Sequence, residues 1–239
     1  PRLMLHARAL ELPSLGRRFE CPVPESVTRW LDGGDARLPS PGELVRRVAD
    51  AHCLRAPLFE VASAFRLING AGDELPGVVV DRYGDYSVLA VSSDEAAERA
   101  QEIAEALLSR GSRGVYFKLR ERADQRRIDR DKNAPPLPIA GEPAAPELLV
   151  SEGGLRFPVR LGDGPSTGLF VDQRDNRNLV SRLAGGTRTL NLFAYTCSFS
   201  VAAACSGARE VVSVDLAEPA LARRRAAFEA NGLDPAQHR

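Results

Sequence analysis

The stretch LNLFAYTCSFSVAAACSGAREVVSVDL, residues 190–216, carries the strongest fold signal in the sequence. It contains an apolar strand, a helical segment rich in small residues and a second apolar strand, and a helical pattern, PALARRRAAFEANG, follows it. Apolar strands that alternate with helices indicate a parallel sheet with right-handed crossovers. The sequence therefore predicts an α/β fold in its last part.

In such a sheet, ligands bind beyond the carboxyl ends of the strands. The turn after the first strand is FAYTCS, and Asp215 ends the second strand, 24 residues after Asn191 (215 − 191). This spacing suits a carboxylate that accepts both hydroxyls of an adenosine ribose. From the pattern alone, however, Asp215 could equally be a helix cap before Pro219.

The turn lacks the G-x-G-x-x-G pattern that lets a backbone approach a pyrophosphate, because Tyr195, Thr196 and Cys197 stand there instead. The turn is therefore a poor binding site for a nicotinamide dinucleotide, and the pattern disfavours the alternative of an NAD(P)-dependent oxidoreductase. A cofactor with a ribose but no phosphate needs fewer glycines. S-adenosylmethionine is such a cofactor.

Composition sets broad limits on the function. The 239 residues are 44% hydrophobic and 27% charged, and the formal net charge is zero, which is typical of a soluble globular protein and argues against simple coating of nucleic acid. No apolar run is long enough to span a membrane, and the sequence has no signal-peptide core. We therefore expect a cytoplasmic location and no membrane contact. The four cysteines lack metal-ligand spacing and are expected to be free thiols, with no metal bound.

Four segments organise the chain. Residues 1–39 are predicted to be irregular, 40–132 to form a small α+β domain, 133–146 to be a Pro/Ala-rich linker and 147–239 to form the parallel-sheet domain. In the second segment, SPGE predicts a helix capped by Ser40, with Glu43 reaching back to the cap amide. Residues 65–120 read as strand, hairpin, helix and strand.

A basic segment runs from Arg110 to Lys132, with nine positive and four negative side chains. It is predicted as a loop that could lie along a phosphate backbone. The alternative, a solvated charged loop, is favoured by composition alone. The candidate RNA-binding residues are Arg120, Arg122, Arg126, Arg127 and Arg130.

A helix is expected after GPSTGLFVD, with Asp172 as its cap. Its predicted apolar stripe is Leu179, Val180 and Leu183. Its predicted exposed polar residues are Gln173, Arg174, Asn176 and Arg177.

Several separate segments carry a family resemblance. FRLINGAGDELPGVVVDRYGD, STGLFVDQRDNRNLV, TLNLFAYTCSFSVAAA, VVSVDLAEPAL and AAFEANGLD occur in an order similar to that of the 23S ribosomal RNA methyltransferases that make 5-methylcytosine, and of their relatives that make 7-methylguanine. The resemblance covers residues 41–239. It implies a Rossmann-like methyltransferase domain preceded by a small central domain, with S-adenosylmethionine as cofactor and 23S rRNA as partner.

The resemblance also implies site residues. The Asn-x-Phe-x-Tyr-Thr turn would hold the methionine end of the cofactor, the acid would hold the ribose, and the T-G-x-F-x-D-Q-R segment, which includes Thr167, would line the pocket. The implied cofactor-binding residues are Asn191, Phe193, Tyr195, Thr196, Cys197, Asp215, Leu216, Phe170, Gln173 and Arg174.

The sequence also departs from the family pattern at several places. Cys197 and Ser198 stand where many relatives have glycines, and the first 39 residues are too short for the PUA-type RNA-binding domain with which relatives often begin. The sequence contains only two of the central parallel strands of such a domain, so we expect a fragment or an incomplete sheet. We assign no catalytic residues, and we expect them to lie beyond Arg239. Cys197 is interpreted as filling the loop rather than as a nucleophile. The alternative of a noncatalytic RNA-binding or ribosome-assembly protein with a degenerate methyltransferase fold remains open.

Overall fold

The computed structural model describes residues 9–12, 16–20, 22–23, 37–120 and 133–238. Near the beginning, strands β1 (Ala9–Leu12) and β2 (Arg17–Glu20) pair antiparallel. The prediction that residues 1–39 are irregular is therefore wrong for this hairpin. Gly16, the residue before β2, has a φ of 58°. Strands this short depend on their pairing partner more than on local propensity, so the sequence pattern did not reveal them.

The next part of the chain forms a five-stranded sheet with helices. In chain order its elements are α1 (Pro41–Leu54), α2 (Ala56–Val61), β3 (Ala64–Asn69), β4 (Val78–Tyr83), β5 (Tyr86–Val91), α3 (Asp94–Glu98), α4 (Ala100–Leu108), β6 (Gly114–Leu119) and β7 (Ala140–Gly141). The strands lie in the order β3-β4-β5-β6-β7, and only β5 and β6 are parallel. The predicted order of strand, hairpin, helix and strand is confirmed.

Helix capping in this unit differs from the prediction. The Ser93 hydroxyl accepts a hydrogen bond from the Ala96 N–H at 3.3 Å and caps α3. Ser40 precedes α1 without a side-chain cap bond. Glu43 instead accepts hydrogen bonds from Arg46 and Arg47, each at 2.8 Å, because a charged donor competes better than a neutral N–H.

Part of the stretch 133–146, predicted as a linker, belongs to the sheet. Strand β7 pairs with β6 through Gly114 and Gly141. A side chain at Gly114 would bring a Cβ within 2.1 Å of the Glu142 carbonyl oxygen, so the close approach requires glycine. Proline-rich composition predicted a connection, but the glycine allows the chain to pair with β6.

The last part of the chain contains the predicted alternation of strands and helices. Its elements are β8 (Leu148–Glu152), β9 (Leu155–Val159), α5 (Arg174–Ala184), β10 (Arg188–Leu192), α6 (Ser198–Cys205), β11 (Glu210–Val214), α7 (Glu218–Ala222) and α8 (Arg224–Glu229). Strands β8 and β9 form a hairpin, and β10 pairs parallel with β11. The α/β fold class is confirmed.

The orientation predicted for α5 is wrong for three residues. Leu179 and Leu183 are exposed and Arg177 is only 1% exposed, whereas Val180 packs against the hydrophobic core as predicted. The Arg177 guanidinium donates to both oxygens of buried Glu152, at 2.7 and 2.6 Å, and lies over the ring of Phe157. An ion pair with a partner 25 residues away, on β8, turns the helix, and a helical pattern cannot reveal such a partner.

Two hydrophobic clusters hold the fold together. One lies between the central sheet and helices α1 and α4, and it includes Leu44 and Ile103. The other contains Tyr83 and Tyr116 of the central sheet together with Phe157 and Phe228 of the last part of the chain. The central sheet thus shares a hydrophobic core with the parallel-strand unit. No helix among the described residues is long and apolar enough to span a membrane.

Candidate functional site

The turn between β10 and α6 adopts an unusual backbone conformation. Phe193, Tyr195 and Cys197 have φ values of 58°, 50° and 67°, so every second residue of the turn is left-handed. Residues with a Cβ rarely adopt this conformation, which costs about 1–3 kcal/mol each and persists only where the surrounding structure imposes it. The turn therefore has the geometry that glycines would allow, without glycines.

Asp215 is one of the groups that impose this geometry. Its Oδ2 accepts the Tyr195 backbone N–H at 2.7 Å, and its Oδ1 accepts the Ala217 N–H at 2.7 Å. The hydrogen bonds from Ala217 and then Tyr195 lower the pKa of Asp215 below its usual value, so the carboxylate is ionised at neutral pH. The residue that caps α7 is Ala217, so the alternative interpretation of Asp215 as the helix cap is wrong.

Asn191 connects the two strands to the helix between them. Its side-chain amide donates to the Ser200 hydroxyl on α6 at 2.8 Å, and the Ser200 hydroxyl lies 2.8 Å from that of Ser213 on β11. Ser200 is fully buried. Asn191 therefore positions the beginning of the turn through a buried hydroxyl pair.

The segment 167–170 lies directly against the turn. The Thr196 hydroxyl donates to the Gly168 carbonyl oxygen at 2.5 Å, and the rings of Phe170 and Tyr195 lie 5.4 Å apart. Gly168 has a φ of 108°, and a Cβ there would come within 2.7 Å of the Arg223 guanidinium. Glycine is required at this position, where the segment packs against both the turn and α7–α8.

Thr167 joins the same segment to the central sheet. Its hydroxyl donates to the Tyr83 hydroxyl at 2.9 Å, and Tyr83 donates to the Leu169 carbonyl at 3.0 Å. Burial raises the pKa of Tyr83 far above its usual value, so the phenol remains a proton donor. This chain of hydrogen bonds fixes the segment between the sheet and the turn.

A cleft opens where these parts meet. We call it the central cleft; its volume is about 180 Å³. Its polar and aromatic lining residues are Arg66, Asp81, Tyr83, Arg120, Ser166, Thr167, Phe170, Asp172 and Tyr195. The Arg66 guanidinium donates to both oxygens of Asp81, at 2.9 and 3.3 Å. Burial raises the pKa of Asp81, and the bond from Arg66 opposes that shift.

Arg66, Asp81 and Tyr83 were not predicted from the sequence to belong to this site. One signal was present: Asp81 interrupts an apolar run, VVVDRY, that forms β4. A charged residue inside an apolar strand indicates either an edge or a polar partner. The partner, Arg66, lies on the neighbouring strand, and the sequence does not show which strands pair.

Comparison with known proteins identifies the family. Residues 109–238 match the family model described as S-adenosylmethionine-dependent methyltransferase. The chain belongs to that methyltransferase family. Membership of an S-adenosylmethionine-dependent methyltransferase family, as the resemblance implied, is thus confirmed.

Curated relatives of this methyltransferase-family chain include ribosomal RNA large subunit methyltransferase I of Aeromonas salmonicida, 35% identical over 196 residues, which are 80% of this chain and 48% of the relative. The ribosomal RNA large subunit methyltransferase of Deinococcus radiodurans is 34% identical over 200 residues, 81% of this chain and 49% of the relative. The chain spans about half the length of these relatives.

Solved structures of similar proteins give the same fold. A Streptococcus mutans protein assigned as a SAM-dependent methyltransferase superposes with a TM-score of 0.74 at 33% identity, over 84% of this chain and 52% of that chain. Another structure assigned as a methyltransferase, complexed with SAH, has a TM-score of 0.73 at 33% identity, over 83% of this chain and 50% of that chain. The expected Rossmann-like methyltransferase fold is confirmed.

Two residues implied as cofactor contacts, Gln173 and Arg174, have hydrogen-bond partners close by in the chain. Gln173 accepts a hydrogen bond from the Asn176 amide at 2.8 Å. Arg174 donates to Asp175 at 3.4 Å and lines a neighbouring groove with Arg55. Asp172 lies in a 3-10 turn, Val171–Gln173, and does not cap α5, whose cap residue is Gln173.

Other implied residues differ in exposure. Phe193, in the turn, and Leu216, two residues after β11, are 87% and 100% exposed. Cys197 has no exposed surface and lies in the hydrophobic core. Burial raises the pKa of the Cys197 thiol, opposite to the lowering expected for a cysteine near a helix N-terminus. These observations favour the loop-filling interpretation of Cys197 over the nucleophile.

The basic segment is less available to RNA than its composition suggests. Lys118 is 2% exposed, and its ammonium donates to the carbonyl oxygens of Leu161, at 2.7 Å, and Gly164. Arg113 pairs with Glu142 at 2.7 Å. Arg120 is exposed and lines the central cleft. Outside the described residues lie Arg122, Arg126, Arg127 and Arg130.

In the parts of the chain that the structure describes, no group of three or more His, Cys, Asp and Glu side chains could hold a metal ion.

Proposed function

We propose that the protein transfers a methyl group from S-adenosylmethionine to large-subunit ribosomal RNA, with cytosine C5 as the favoured atom and guanine N7 as the alternative. The observation that carries the proposal is the left-handed turn at 193–197, fixed by Asp215 at the carboxyl ends of two parallel strands. Family membership and the activity named for the curated relatives support it. SAH in a similar solved structure supports the cofactor.

The residues at the turn fit an adenosine-containing cofactor. A carboxylate has about four acceptor positions, and the Asp215 carboxylate accepts two backbone N–H groups, so acceptor capacity remains for ribose hydroxyls. The ionised state favours those bonds because hydrogen bonds to a charged acceptor are the stronger kind. Phe193 and Leu216 would flank the adenosine, and Asn191, Tyr195 and Thr196 would shape the methionine end. Bound S-adenosylmethionine would supply a methyl group activated by its sulfonium.

RNA would be held by the central unit and by the part of the basic segment that follows β6. Arg120 is the first residue of this part and lines the central cleft. The remaining candidates are Arg122, Arg126, Arg127 and Arg130. Such side chains would bind the phosphate backbone, so this part of the affinity should fall as salt increases.

Methylation of cytosine C5 requires a thiolate that attacks C6 before the methyl group is transferred. Among the cysteines that the structure describes, Cys197 is buried, and Cys205 ends α6, the helix that begins at the turn. We assign no catalytic nucleophile within the described ranges. The choice of cytosine C5 as the methylated atom rests on the sequence resemblance.

The test is calorimetric titration of the chain with S-adenosylmethionine, S-adenosylhomocysteine and NADH in separate experiments. We expect saturable binding of the first two and none of NADH. Binding of NADH alone would support the oxidoreductase alternative. Binding of ribosomal RNA without either adenosyl compound would support the noncatalytic alternative and contradict the proposal.

A further inference from the structure

The turn at 193–197 is held by two contacts from other parts of the chain. Asp215 accepts the Tyr195 backbone N–H at 2.7 Å. Thr196, a buried residue, donates through its hydroxyl to the Gly168 carbonyl oxygen at 2.5 Å. Left-handed residues that carry a Cβ persist only where the surrounding structure imposes them. The position of the Gly168 carbonyl oxygen therefore helps to determine the shape of the turn.

The position of that carbonyl depends on the residues beside it. Glycine tolerates more backbone conformations than any other residue, and Gly168 has a φ of 108°. The Thr167 hydroxyl donates to the Tyr83 hydroxyl at 2.9 Å, and Tyr83 donates to the Leu169 carbonyl oxygen at 3.0 Å. Arg223 adds a bond to the Thr167 carbonyl oxygen at 3.2 Å. One side chain of the central sheet thus contacts both residues that flank Gly168.

Tyr83 is itself held firmly. It is the last residue of β4 and lies opposite Tyr86, the first residue of β5. It is only 2% exposed and belongs to the same hydrophobic cluster as Phe157 and Phe228, and dense packing leaves such a ring little freedom to move. Burial raises the pKa of Tyr83 far above its usual value, so the hydroxyl keeps its proton and can donate.

The loop that leads from β9 to the segment 167–170 is attached to the same sheet. Lys118 of β6, which is buried, donates to the carbonyl oxygens of Leu161, at 2.7 Å, and Gly164. The central sheet therefore holds the loop through Lys118 and the segment that follows it through Tyr83.

We propose that Tyr83 is a positioning residue for the turn at 193–197. Its hydroxyl holds the two residues that flank Gly168, so that the Gly168 carbonyl oxygen accepts the bond from Thr196. This inference rests on the proposed function, which assigns S-adenosylmethionine to that turn. The central sheet then contributes to cofactor affinity through a chain of hydrogen bonds rather than through contact with the cofactor.

The experiment measures by calorimetry the affinity of the wild type, Tyr83→Phe and Tyr86→Phe for S-adenosylhomocysteine. Tyr83→Phe should weaken binding by about 3- to 10-fold, the range expected for a lost hydrogen bond. Tyr86→Phe is the matched control, because Tyr86 is also buried but donates to a carbonyl oxygen outside the segment, that of Pro143, at 3.4 Å. It should bind as the wild type does.

A variant of Thr196 distinguishes positioning from direct contact. Thr196→Val removes the donor to the Gly168 carbonyl oxygen, so the hydrogen-bonded link from Tyr83 to the turn is broken. Adding Tyr83→Phe to Thr196→Val should therefore weaken binding by much less than adding it to the wild type, because effects within one hydrogen-bond network are not additive. A phenol that touched the cofactor itself would give the same loss in both backgrounds.

Thr167→Val removes the same hydrogen bond from the side of the segment, which covers the case in which Tyr83→Phe fails to fold. The loss of affinity that it causes should also be smaller in the Thr196→Val background. Urea unfolding of each variant shows whether it is folded under the conditions of the titration.

Equal affinity of Tyr83→Phe and Tyr86→Phe would overturn the inference, as would an equal loss from Tyr83→Phe with and without Thr196→Val. If the wild type binds S-adenosylhomocysteine and these differences are absent, the positioning role is rejected and the proposed function stands. If the wild type does not bind it, the proposed function is rejected and the inference with it.

Discussion

The backbone N–H of Tyr195 lies 2.7 Å from Oδ2 of Asp215, so the acid that ends β11 also fixes the turn that follows β10. The second carboxylate oxygen accepts the Ala217 N–H. One side chain thus links the two loops at the carboxyl edge of the sheet. Under the proposed function, the same carboxylate would bind the cofactor and maintain the shape of its site.

Replacing Asp215 by Ala should weaken S-adenosylmethionine binding by about 10- to 100-fold, the range expected for hydrogen bonds to a charged group. The turn should also relax from its left-handed conformations, because the Tyr195 N–H loses its acceptor. Calorimetry gives the affinity. The control is Asp234→Ala, since Asp234 also accepts the N–H of the residue two positions on, Ala236, but lies in the C-terminal 3-10 turn. Equal affinity of Asp215→Ala and the wild type would contradict the ribose assignment.

Arg177→Ala should lower the free energy of unfolding by about 3–5 kcal/mol, because it leaves the buried Glu152 carboxylate without its partner. The double variant Arg177→Met with Glu152→Leu should recover much of that loss, since neither charge is then buried. Urea unfolding followed by circular dichroism measures both. If the double variant is no more stable than Arg177→Ala, the cost does not arise from an unpaired charge.

Lys118 should make stability depend on pH in the alkaline range. Burial lowers the pKa of Lys118 from 10.5 to about 8, so between these values the unfolded chain binds more protons than the folded one. The free energy of unfolding therefore rises with pH over this window, by about 1–3 kcal/mol in total. Below pH 8 both states are protonated and the slope from this group vanishes.

The measurement is the difference between wild type and Lys118→Met in urea unfolding at several values from pH 7 to pH 10.5. Subtraction removes the titration of tyrosines common to both proteins. We expect the wild type to gain stability relative to the variant as pH rises above 8. A constant difference would show that Lys118 titrates normally.

Cys197 should resist thiol reagents in the native protein, because it is fully buried, whereas Cys53 and Cys205 are exposed and should react. Mass spectrometry of labelled peptides before and after addition of urea distinguishes the sites. Cys197 should be labelled only once the protein unfolds. Native labelling of Cys197 as fast as Cys205 would reopen its interpretation as a nucleophile.

Much of the fold follows from local patterns. The β4–β5 hairpin and the parallel pair β10–β11 were predicted from runs of apolar residues, which are properties of neighbouring residues. The β1–β2 hairpin and β7 were missed because their pairing partners, rather than their own composition, stabilise them.

The candidate site divides in the same way. The sequence alone singled out the turn at 191–197 and Asp215, because strand ends and acidic residues can be read along the chain. Only the tertiary structure brought Arg66 and Asp81 to the Phe170–Tyr195 rings, and only it turned Arg177 inward and buried Lys118. Local propensity and periodicity act over a few residues, whereas a cleft or a buried ion pair is formed by strands and loops whose contact depends on the packing of the whole core.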